Sequence, residues 1–460
     1  MRGDTLVASS KEVINLLFDR IVFILYFIKM IGYLTKFVIA YIVLLAIFFS
    51  SLVLTNLIPS YSFKQNLGKT IITFQKEGTY PSVGIPGRTI VLDNFTDPLM
   101  FNTAYSVNSQ SSIQSALINL RYTDSVDALN QIHNLNQLYQ KKVKPQTGYE
   151  RHWHGYLVFL RPLLLLFPYS GIRTILAFAL YGGLIWFCYL AWHKLGKKIA
   201  IFILFGLISV DFFFLSKSIQ FSSIFLVGLF ISIYLLLTHK KNRPSYVLFF
   251  VAGGLTSFFD LLTAPLISLG VLLITATALN NRRFTVLHTL SWVIGYLSLW
   301  FSKWILAEIL FVPGAITISL EQIVNRTVTV ADTQFSYFKA IKLNFFQLVG
   351  YHRASQFIFF LFIIILIFLL IRYFSLKKQV VKRVFPWVFI AVIPYLWYLV
   401  AANHSYLHCW YTYRNQFMSV VAGLLIISEF INWSKLNQDL VRIQTKLDSV
   451  LKPTKKNIPS

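Results

Sequence analysis

The sequence has few cysteines and few charged residues. Its 460 residues include two cysteines, Cys188 and Cys409, and only 13% are charged, against about a quarter in a typical soluble domain. Two cysteines cannot build a disulfide framework, and no Cys/His spacing matches a zinc site. The shortage of charge excludes an ordinary soluble domain.

Acidic residues are especially scarce. Asp and Glu number 17 against 42 Lys and Arg, which gives a net charge of +25. Such an excess can indicate nucleic-acid binding. Here the basic residues lie mainly in short stretches between apolar runs, where loops of membrane proteins meet anionic lipid. We therefore expect a lipid bilayer as partner and no nucleic acid.

Hydrophobic residues make up 56% of the chain and the mean hydropathy is +0.63. They form runs of about 20 residues, the length that spans a bilayer core. The sequence predicts an all-α fold: a polytopic transmembrane helical bundle that is one integral membrane domain over residues 1–460. About ten spans are predicted, near residues 37–58, 171–192, 199–215, 220–238, 245–262, 264–279, 289–308, 356–372, 385–402 and 415–432.

The basic residues also predict the orientation. With the N-terminus inside, the inner segments hold 24 of the 42 Lys and Arg residues, and every short inner loop is basic. Residues 1–36 lack a cleavage site after their first apolar run, so we expect a retained first span. Residues 10–30 are predicted to form an amphipathic helix on the inner face. The predicted topology is N-in and C-in, in a multi-pass protein of the cell membrane.

Two long outer segments follow from this topology, residues 59–170 and 309–355, and a short cytoplasmic tail covers 433–460. The first is too long for a mere connector. We expect short helices on the membrane surface there, one of them over 124–140, and an irregular stretch over 80–97. Three-residue steps predict an apolar stripe on the 124–140 helix, formed by Val126, Leu129, Ile132, Leu135 and Leu138. The apolar segment 156–167 is too short to span a bilayer, and we expect it to form an interfacial helix that is broken at Pro162.

Titratable and cationic residues gather on the predicted outer side. Ionisable groups at membrane depth are costly, so a set on one face indicates a functional site. The set comprises Asp93, Asp97, Arg151, His152, His154, Arg161, Asp211, Lys217, Asp260, His404, His408, Tyr411 and Arg414.

Each member also has a purely structural interpretation. Asp211 with Lys217, or Asp260 with a nearby cation, would be a buried ion pair that fixes helix packing. Asp97 before Pro98 would be a turn or helix-capping residue. Arg161 would reach lipid phosphate, and the histidines would lie at the interface or in the core.

The combination of cations and loop carboxylates indicates a particular chemistry. Arginine binds phosphate with two parallel hydrogen bonds, and histidine can donate to phosphate. A carboxylate can deprotonate an acceptor hydroxyl as a general base. In a lipid-phosphate sugar donor the phosphate lies at the membrane surface. An enzyme that uses such a donor would need cations at the membrane edge and a carboxylate above them.

In layout, the chain resembles the GT-C superfamily of integral membrane glycosyltransferases. The likeness covers about the first 240 residues: an N-terminal span, then a long outer loop with the stretch "DNFTDP" (93–98), which contains Asp93 and Asp97. The resemblance implies a polyprenyl-phosphate sugar donor, Asp93 as base and Asp97 as second candidate. In the enzyme hypothesis, the clustered cations and histidines bind the donor phosphate: Arg151, His152, His154, Arg161, His404, His408 and Arg414. The stretches "ERHWHGYLVFLRPLL" and "HSYLHCWYTYR" are similar to uncharacterised multi-span proteins of Gram-positive bacteria.

Three points stay open at the sequence level. Asp93 and Asp97 could share Mg²⁺ or Mn²⁺, but with so few carboxylates nearby no catalytic metal or other cofactor is expected. A transporter or flippase for a lipid-linked or anionic envelope precursor is the alternative, with Gly253–Gly254 as the candidate helix break. A non-catalytic membrane subunit of an envelope assembly is the third interpretation. The enzyme is favoured, with a cell-envelope glycan, lipid or protein as acceptor.

Overall fold

The long apolar runs of the sequence fold into helices. The computed structural model describes residues 31–86, 88–140, 142–238, 245–279, 285–327, 336–376 and 378–451. Within these ranges helices dominate, and strands are confined to one two-stranded hairpin. The predicted all-α class is confirmed. The amphipathic helix predicted over 10–30 lies outside the described residues.

Six helices are long and apolar enough to cross a membrane: α1 (Ile31–Asn56), α7 (Tyr169–Lys194), α9 (Ile219–Thr238), α12 (Thr285–Leu310), α15 (Arg353–Tyr373) and α16 (Val380–Val400). Each has at least the roughly 20 residues that span a bilayer core. They coincide with six of the ten predicted spans, and they indicate an integral membrane protein.

The other four predicted spans are shorter helices: α8 (Lys197–Ser209), α10 (Tyr246–Phe259), α11 (Leu266–Ala278) and α19 (Phe417–Glu429). With 13 or 14 residues each, none reaches the spanning length. Local breaks shorten them: α8 is followed by Asp211 at φ 58°, and α11 begins directly after Pro265. They still contribute buried side chains to the same core as the long helices. A count of ten spans is therefore not confirmed.

The glycine pair predicted as a possible helix break lies inside the continuous helix α10. A Cβ on Gly253 would lie 2.0 Å from the carbonyl oxygen of Trp292, and one on Gly295 would lie 2.0 Å from that of Phe250. These glycines therefore let α10 and α12 approach backbone to backbone, as small residues do between membrane helices. Packing, not a break, explains them.

The long segment between α1 and α7 folds into short elements, and we call it the loop domain. Its elements are α2 (Lys64–Glu77), β1 (Ser82–Ile85), β2 (Arg88–Val91), α3 (Thr96–Ser106), α4 (Ser112–Ile118), α5 (Gln131–Tyr139) and α6 (Leu157–Leu166). The hairpin β1–β2 pairs Ser82 with Val91 and Ile85 with Arg88. It replaces the irregular stretch predicted over 80–97. The β-branched run of β2 was the available strand signal.

Two helix predictions in this segment need correction. The helix expected over 124–140 begins only at α5, because Asp124 Oδ1 accepts the N–H groups of Val126 and Asp127 in a turn and Asn130 caps the helix start. Val126 and Leu129 are largely exposed as a result. Helix α6 continues through Pro162 instead of breaking there.

The remaining helices are α13 (Ala315–Thr327), α14 (Tyr337–Val349), α17 (Ala402–Leu407), α18 (Cys409–Thr412) and α20 (Trp433–Leu451). The predicted C-terminal tail therefore contains a helix. One hydrophobic cluster joins α7–α12, α16 and α19. A second joins α1, α2, α3 and α6 to α10 and α12. This second cluster holds the loop domain against the helix ends, where the candidate site lies.

Candidate functional site

A cavity of about 650 Å³ lies between the loop domain and the helix ends. Its walls include Gln220 at the start of α9, Leu261 just after α10 and Arg326 near the end of α13. The segment 403–411 after α16 forms a further wall, and residues 79–151 of the loop domain supply the rest. Of the predicted site residues, Asp93, Arg151, His404, His408 and Tyr411 line this one cavity.

Asp93 is positioned by the start of helix α3. Its Oδ1 accepts the N–H groups of Phe95 and Thr96, at 3.2 and 3.0 Å. The residue is 2% exposed. Burial raises the pKa of the Asp93 carboxyl to about 6, and the charge of Asp97 adds to this, while hydrogen bonds from Thr96 oppose it. A carboxyl with such a pKa is suited to accept a proton near neutral pH.

Three arginines gather around the phenol of Tyr149 in the same cavity: Arg121, Arg151 and Arg326. The Arg151 and Arg121 guanidinium carbons lie 4.3 and 5.2 Å from the Tyr149 ring centre. Burial raises the pKa of Tyr149, but the charges of the three guanidinium groups outweigh it and hold that pKa below its usual range. The cavity wall is therefore strongly electropositive.

These arginines lack acidic partners within the parts of the chain that the structure describes. The ion pairs there involve other arginines, among them Arg88 and Arg173. The Nε atoms of Arg121 and Arg151 are buried without a hydrogen-bond partner among the described residues. Uncompensated buried cations are costly unless an anion joins them. The cavity therefore has the charge to attract an anion.

The two cavity histidines are neutral. His404 Nε2 lies 2.8 Å from the carbonyl oxygen of Leu262. A carbonyl can only accept, so Nε2 carries the proton and Nδ1 does not. Burial, and next the charge of Arg326, lowers the pKa of both rings, that of His408 to about 4. His408 stacks on Tyr411 with ring centres 5.0 Å apart.

Asp97, the second predicted carboxylate, does not line the cavity. Its carboxylate accepts the hydroxyls of Tyr169 and Ser218 and the N–H groups of Ile219 and Gln220. It therefore caps the N-terminus of α9, where a negative charge is favourable. This contact fixes α3 of the loop domain to α9, so the geometry agrees with the capping interpretation of Asp97.

Arg161 is fully buried and lies outside the cavity lining. Its guanidinium group donates to the carbonyl oxygens of Thr55, Ile58 and Ala104. It thus ties the end of α1 and the end of α3 to α6. Arg161 has the surroundings of a structural residue, and it lies among carbonyl acceptors instead of reaching a lipid phosphate.

His152 and His154 are both buried behind the cavity wall. His154 Nε2 donates to the carbonyl of Tyr149 at 2.8 Å, and Nδ1, 2.9 Å from the Tyr156 hydroxyl, accepts from it. Both nitrogens are thus used within the protein. His152 stacks on Trp300, and its Nε2 has no partner among the described residues. Neither residue lines the cavity.

Arg414 is also buried beside the cavity, not in its lining. Its guanidinium carbon lies 4.3 Å from the Phe221 ring centre, and its Nε and Nη2 atoms are unpartnered within the described structure.

Asp260 is 3% exposed. Its Oδ1 accepts the Thr263 N–H, and its Oδ2 has no hydrogen-bond partner among the described residues.

Asp211 forms the buried ion pair that its position predicts, but with Arg88 instead of Lys217. The Arg88 Nη2 lies 2.6 Å from Asp211 Oδ2, which also accepts the Tyr413 hydroxyl. This pair fixes strand β2 to the end of α8. Lys217 instead lines an open surface groove with Glu77 and Arg173.

Sequence analysis missed Arg121, Tyr149 and Arg326. An isolated arginine in a loop is usually solvated, so neither arginine stands out by residue type. The available signal was their place: both fall in predicted outer segments, on the side where the other candidate site residues gather. Their joint position appears only when the loop domain folds onto α13.

The described residues contain no group of three or more His, Cys, Asp or Glu side chains that could hold a metal ion. Asp93 and Asp97 accept separate sets of donors, and of the two only Asp93 lines the cavity.

No family model, curated protein or solved structure matches the chain.

Proposed function

We propose that this protein is a membrane glycosyltransferase that moves a sugar from a polyprenyl-phosphate donor to a cell-envelope glycan, lipid or protein. The observation that carries the proposal is the meeting of Asp93 with Arg121, Arg151 and Arg326 in one cavity. The family resemblance described above points the same way. Neither depends on a bound metal.

Asp93 is proposed as the general base. It is held by backbone N–H groups at the start of α3, and its raised pKa lies near the range where a base works best. A hydroxyl of the acceptor would give its proton to the carboxylate as its oxygen attacks the anomeric carbon. The polyprenyl phosphate would leave with the bonding electrons of the bond that breaks.

The three arginines are proposed to hold the leaving phosphate. Guanidinium groups match phosphate oxygens with paired hydrogen bonds and remain charged throughout the pH range of cells. The negative charge on the leaving phosphate grows as the sugar departs, so these cations would stabilise the transition state more than the bound donor. Neutral His404 and His408 would add donors or acceptors to the sugar.

Two structural observations bear on the alternatives. The transporter interpretation relied on a break at Gly253–Gly254, and α10 is continuous through both residues. The scaffold interpretation expects a filled interior, and the charged cavity is open instead. Both observations favour the enzyme.

We also propose the orientation: the cavity lies on the outer face of the cell membrane, with the N-terminus inside. Of the helices long enough to span, α9 begins at the cavity with Gln220, and α16 ends shortly before Asn403, which also lines the cavity. Labelling of a cysteine introduced at exposed Asp127 in intact cells tests this. Reaction with an impermeant maleimide supports the outer location, and protection until the cells are opened contradicts it.

The enzymatic proposal is tested with purified protein in liposomes. The donor is a polyprenyl-phosphate sugar carrying a radiolabel, and the acceptor is an extract of envelope glycans and lipids. Transfer of label together with release of polyprenyl phosphate supports the proposal. Transfer from a water-soluble nucleotide sugar instead would overturn the donor class.

A further inference from the structure

A second cavity, of about 390 Å³, lies between α11, α12, α13 and α16. Its lining is almost entirely apolar, unlike that of the charged cavity. The residues that define it include Leu269, Trp292, Leu297, Trp300, Ile393 and Leu396. We call it the apolar groove.

The apolar groove adjoins the charged cavity at several points. Arg326 lines both. Leu261 lines the charged cavity and the next residue, Leu262, lines the groove. On the other wall Ala401 belongs to the groove and Asn403 to the charged cavity. A ligand could therefore extend from one into the other past the Arg326 side chain.

The groove also reaches the surface that faces lipid. Its lining residues Leu297, Leu396 and Val400 are 38%, 52% and 63% exposed. They belong to α12 and α16, two of the helices with the length and apolarity to span a membrane. An opening between such helices meets hydrocarbon, not water, if both cross the bilayer.

We propose that the apolar groove holds the hydrocarbon chain of a lipid phosphate whose phosphate group is bound at Arg326. This inference rests on the proposed function, because it assumes that the charged cavity binds a phosphate, and it adds where the lipid lies. An apolar groove that ends at a cation with no acidic partner among the described residues is complementary to an anionic amphiphile. A free phosphate or a nucleotide would leave the groove unused.

Chain burial has a measurable consequence. Each methylene buried on binding raises affinity by about fourfold, from the free energy of transferring it out of water. We therefore expect binding to purified protein to strengthen from glycerol phosphate to geranyl phosphate to a long-chain polyprenyl phosphate. Equal affinity for all three would overturn the proposal.

Two variants locate the chain. Leu396→Trp fills the groove from α16, and Leu297→Trp fills it from α12; both residues are already exposed, so folding should tolerate the change. Each should weaken polyprenyl phosphate binding by at least about tenfold, since several buried methylenes are displaced, while binding of glycerol phosphate stays unchanged. Leu399→Trp, an exposed α16 residue outside the groove lining, is the matched control and should change neither affinity. Unchanged binding of polyprenyl phosphate in both groove variants would overturn the proposal.

The outcome separates this inference from the proposed function. If lipid binding depends on chain length and on Leu396 but no sugar is transferred, the apolar groove binds the lipid chain and the proposed glycosyltransferase activity is contradicted. Sugar transfer whose KM for the donor is unaffected by either groove variant supports the enzyme and overturns the groove.

Discussion

The guanidinium carbon of Arg151 lies 4.3 Å from the centre of the Tyr149 ring. Arg121 approaches the same ring at 5.2 Å. The ring attracts both cations through its π face and thereby offsets their mutual repulsion. Tyr149 is therefore the residue that allows several arginines to share one small cavity.

Replacing this ring should weaken anion binding. We expect Tyr149→Leu to lower the affinity for polyprenyl phosphate by about tenfold, corresponding to roughly 1–2 kcal/mol of cation–π attraction. Tyr149→Phe keeps the ring and should stay within about threefold of the wild type. Equilibrium binding of a labelled lipid phosphate measures both. Equal losses in the two variants would assign the effect to the hydroxyl group and not to the ring.

Arg121, which sequence analysis missed, should contribute directly to phosphate binding. Arg121→Gln removes one charged donor from the cavity, and we expect a donor KM raised by about tenfold or more, since a hydrogen bond to a charged group contributes about 1.5–3 kcal/mol. Arg353→Gln, an exposed arginine at the start of α15, is the control. A normal KM in the Arg121 variant would remove this residue from the anion site.

The pH dependence of transfer should report Asp93. Its pKa of about 6 means that the carboxyl is protonated, and unable to act as base, in acid. We expect kcat/KM to rise through about pH 6 and then level off. The pKa of His408, about 4, places its titration outside this range. The Asp260→Asn variant should show the same rise of kcat/KM through about pH 6. If the rise is absent in that variant, the titrating group is Asp260 and not Asp93.

Asp93 should make the stability of the protein fall with rising pH, whereas it makes the transfer activity rise. The pKa of Asp93 in the folded protein lies above the ordinary aspartate value of 3.8, so the folded state binds this proton more tightly than the unfolded state does. The resulting contribution to stability is fully present below about pH 4 and is lost as the pH rises through about 6. Asp93→Asn removes the ionisation and should flatten the pH dependence of the melting temperature over this range.

Arg161 should matter for folding and not for chemistry. Arg161→Met leaves the carbonyl oxygens of Ile58 and Ala104 without the guanidinium N–H groups that they accept, while the Thr55 carbonyl keeps the Ile58 N–H. Each unsatisfied buried group costs about 1–3 kcal/mol. We expect a clear drop in melting temperature in detergent and poor recovery of folded protein. Arg353→Met is the exposed control. If the Arg161→Met protein melts normally but no longer binds the polyprenyl-phosphate sugar, the predicted phosphate-binding role of Arg161 is supported instead.

The sequence was sufficient to predict the long apolar helices, because length and hydropathy suffice to identify them. It could not delimit α8, α10, α11 and α19, whose ends depend on local turns at Asp211 and Asp260 and on Pro265. It also missed the hairpin β1–β2, which the buried Arg88–Asp211 pair holds against the bundle. That pair joins residues more than a hundred positions apart, a separation that periodicity does not reveal.

The site was predicted in part for a similar reason. Asp93, Arg151, His404 and His408 belong to segments where polar residues interrupt apolar runs, and these residues do meet in the cavity. Asp97, His154 and Arg161 come from the same segments but serve as a cap or as donors to backbone carbonyls. Residue type and position could not separate the two groups, because the difference lies in which way each side chain turns after folding.

The most direct test of the account is the transfer rate of Asp93→Asn with a polyprenyl-phosphate sugar donor. Asparagine fits the same space and can still accept the Phe95 and Thr96 N–H groups, but it cannot take a proton. We predict a fall in kcat of at least about a hundredfold, with little change in donor binding and no fall in melting temperature, while Asp127→Asn, at an exposed aspartate of the same loop domain, keeps the wild-type rate. A fully active, folded Asp93→Asn protein would contradict the proposed mechanism.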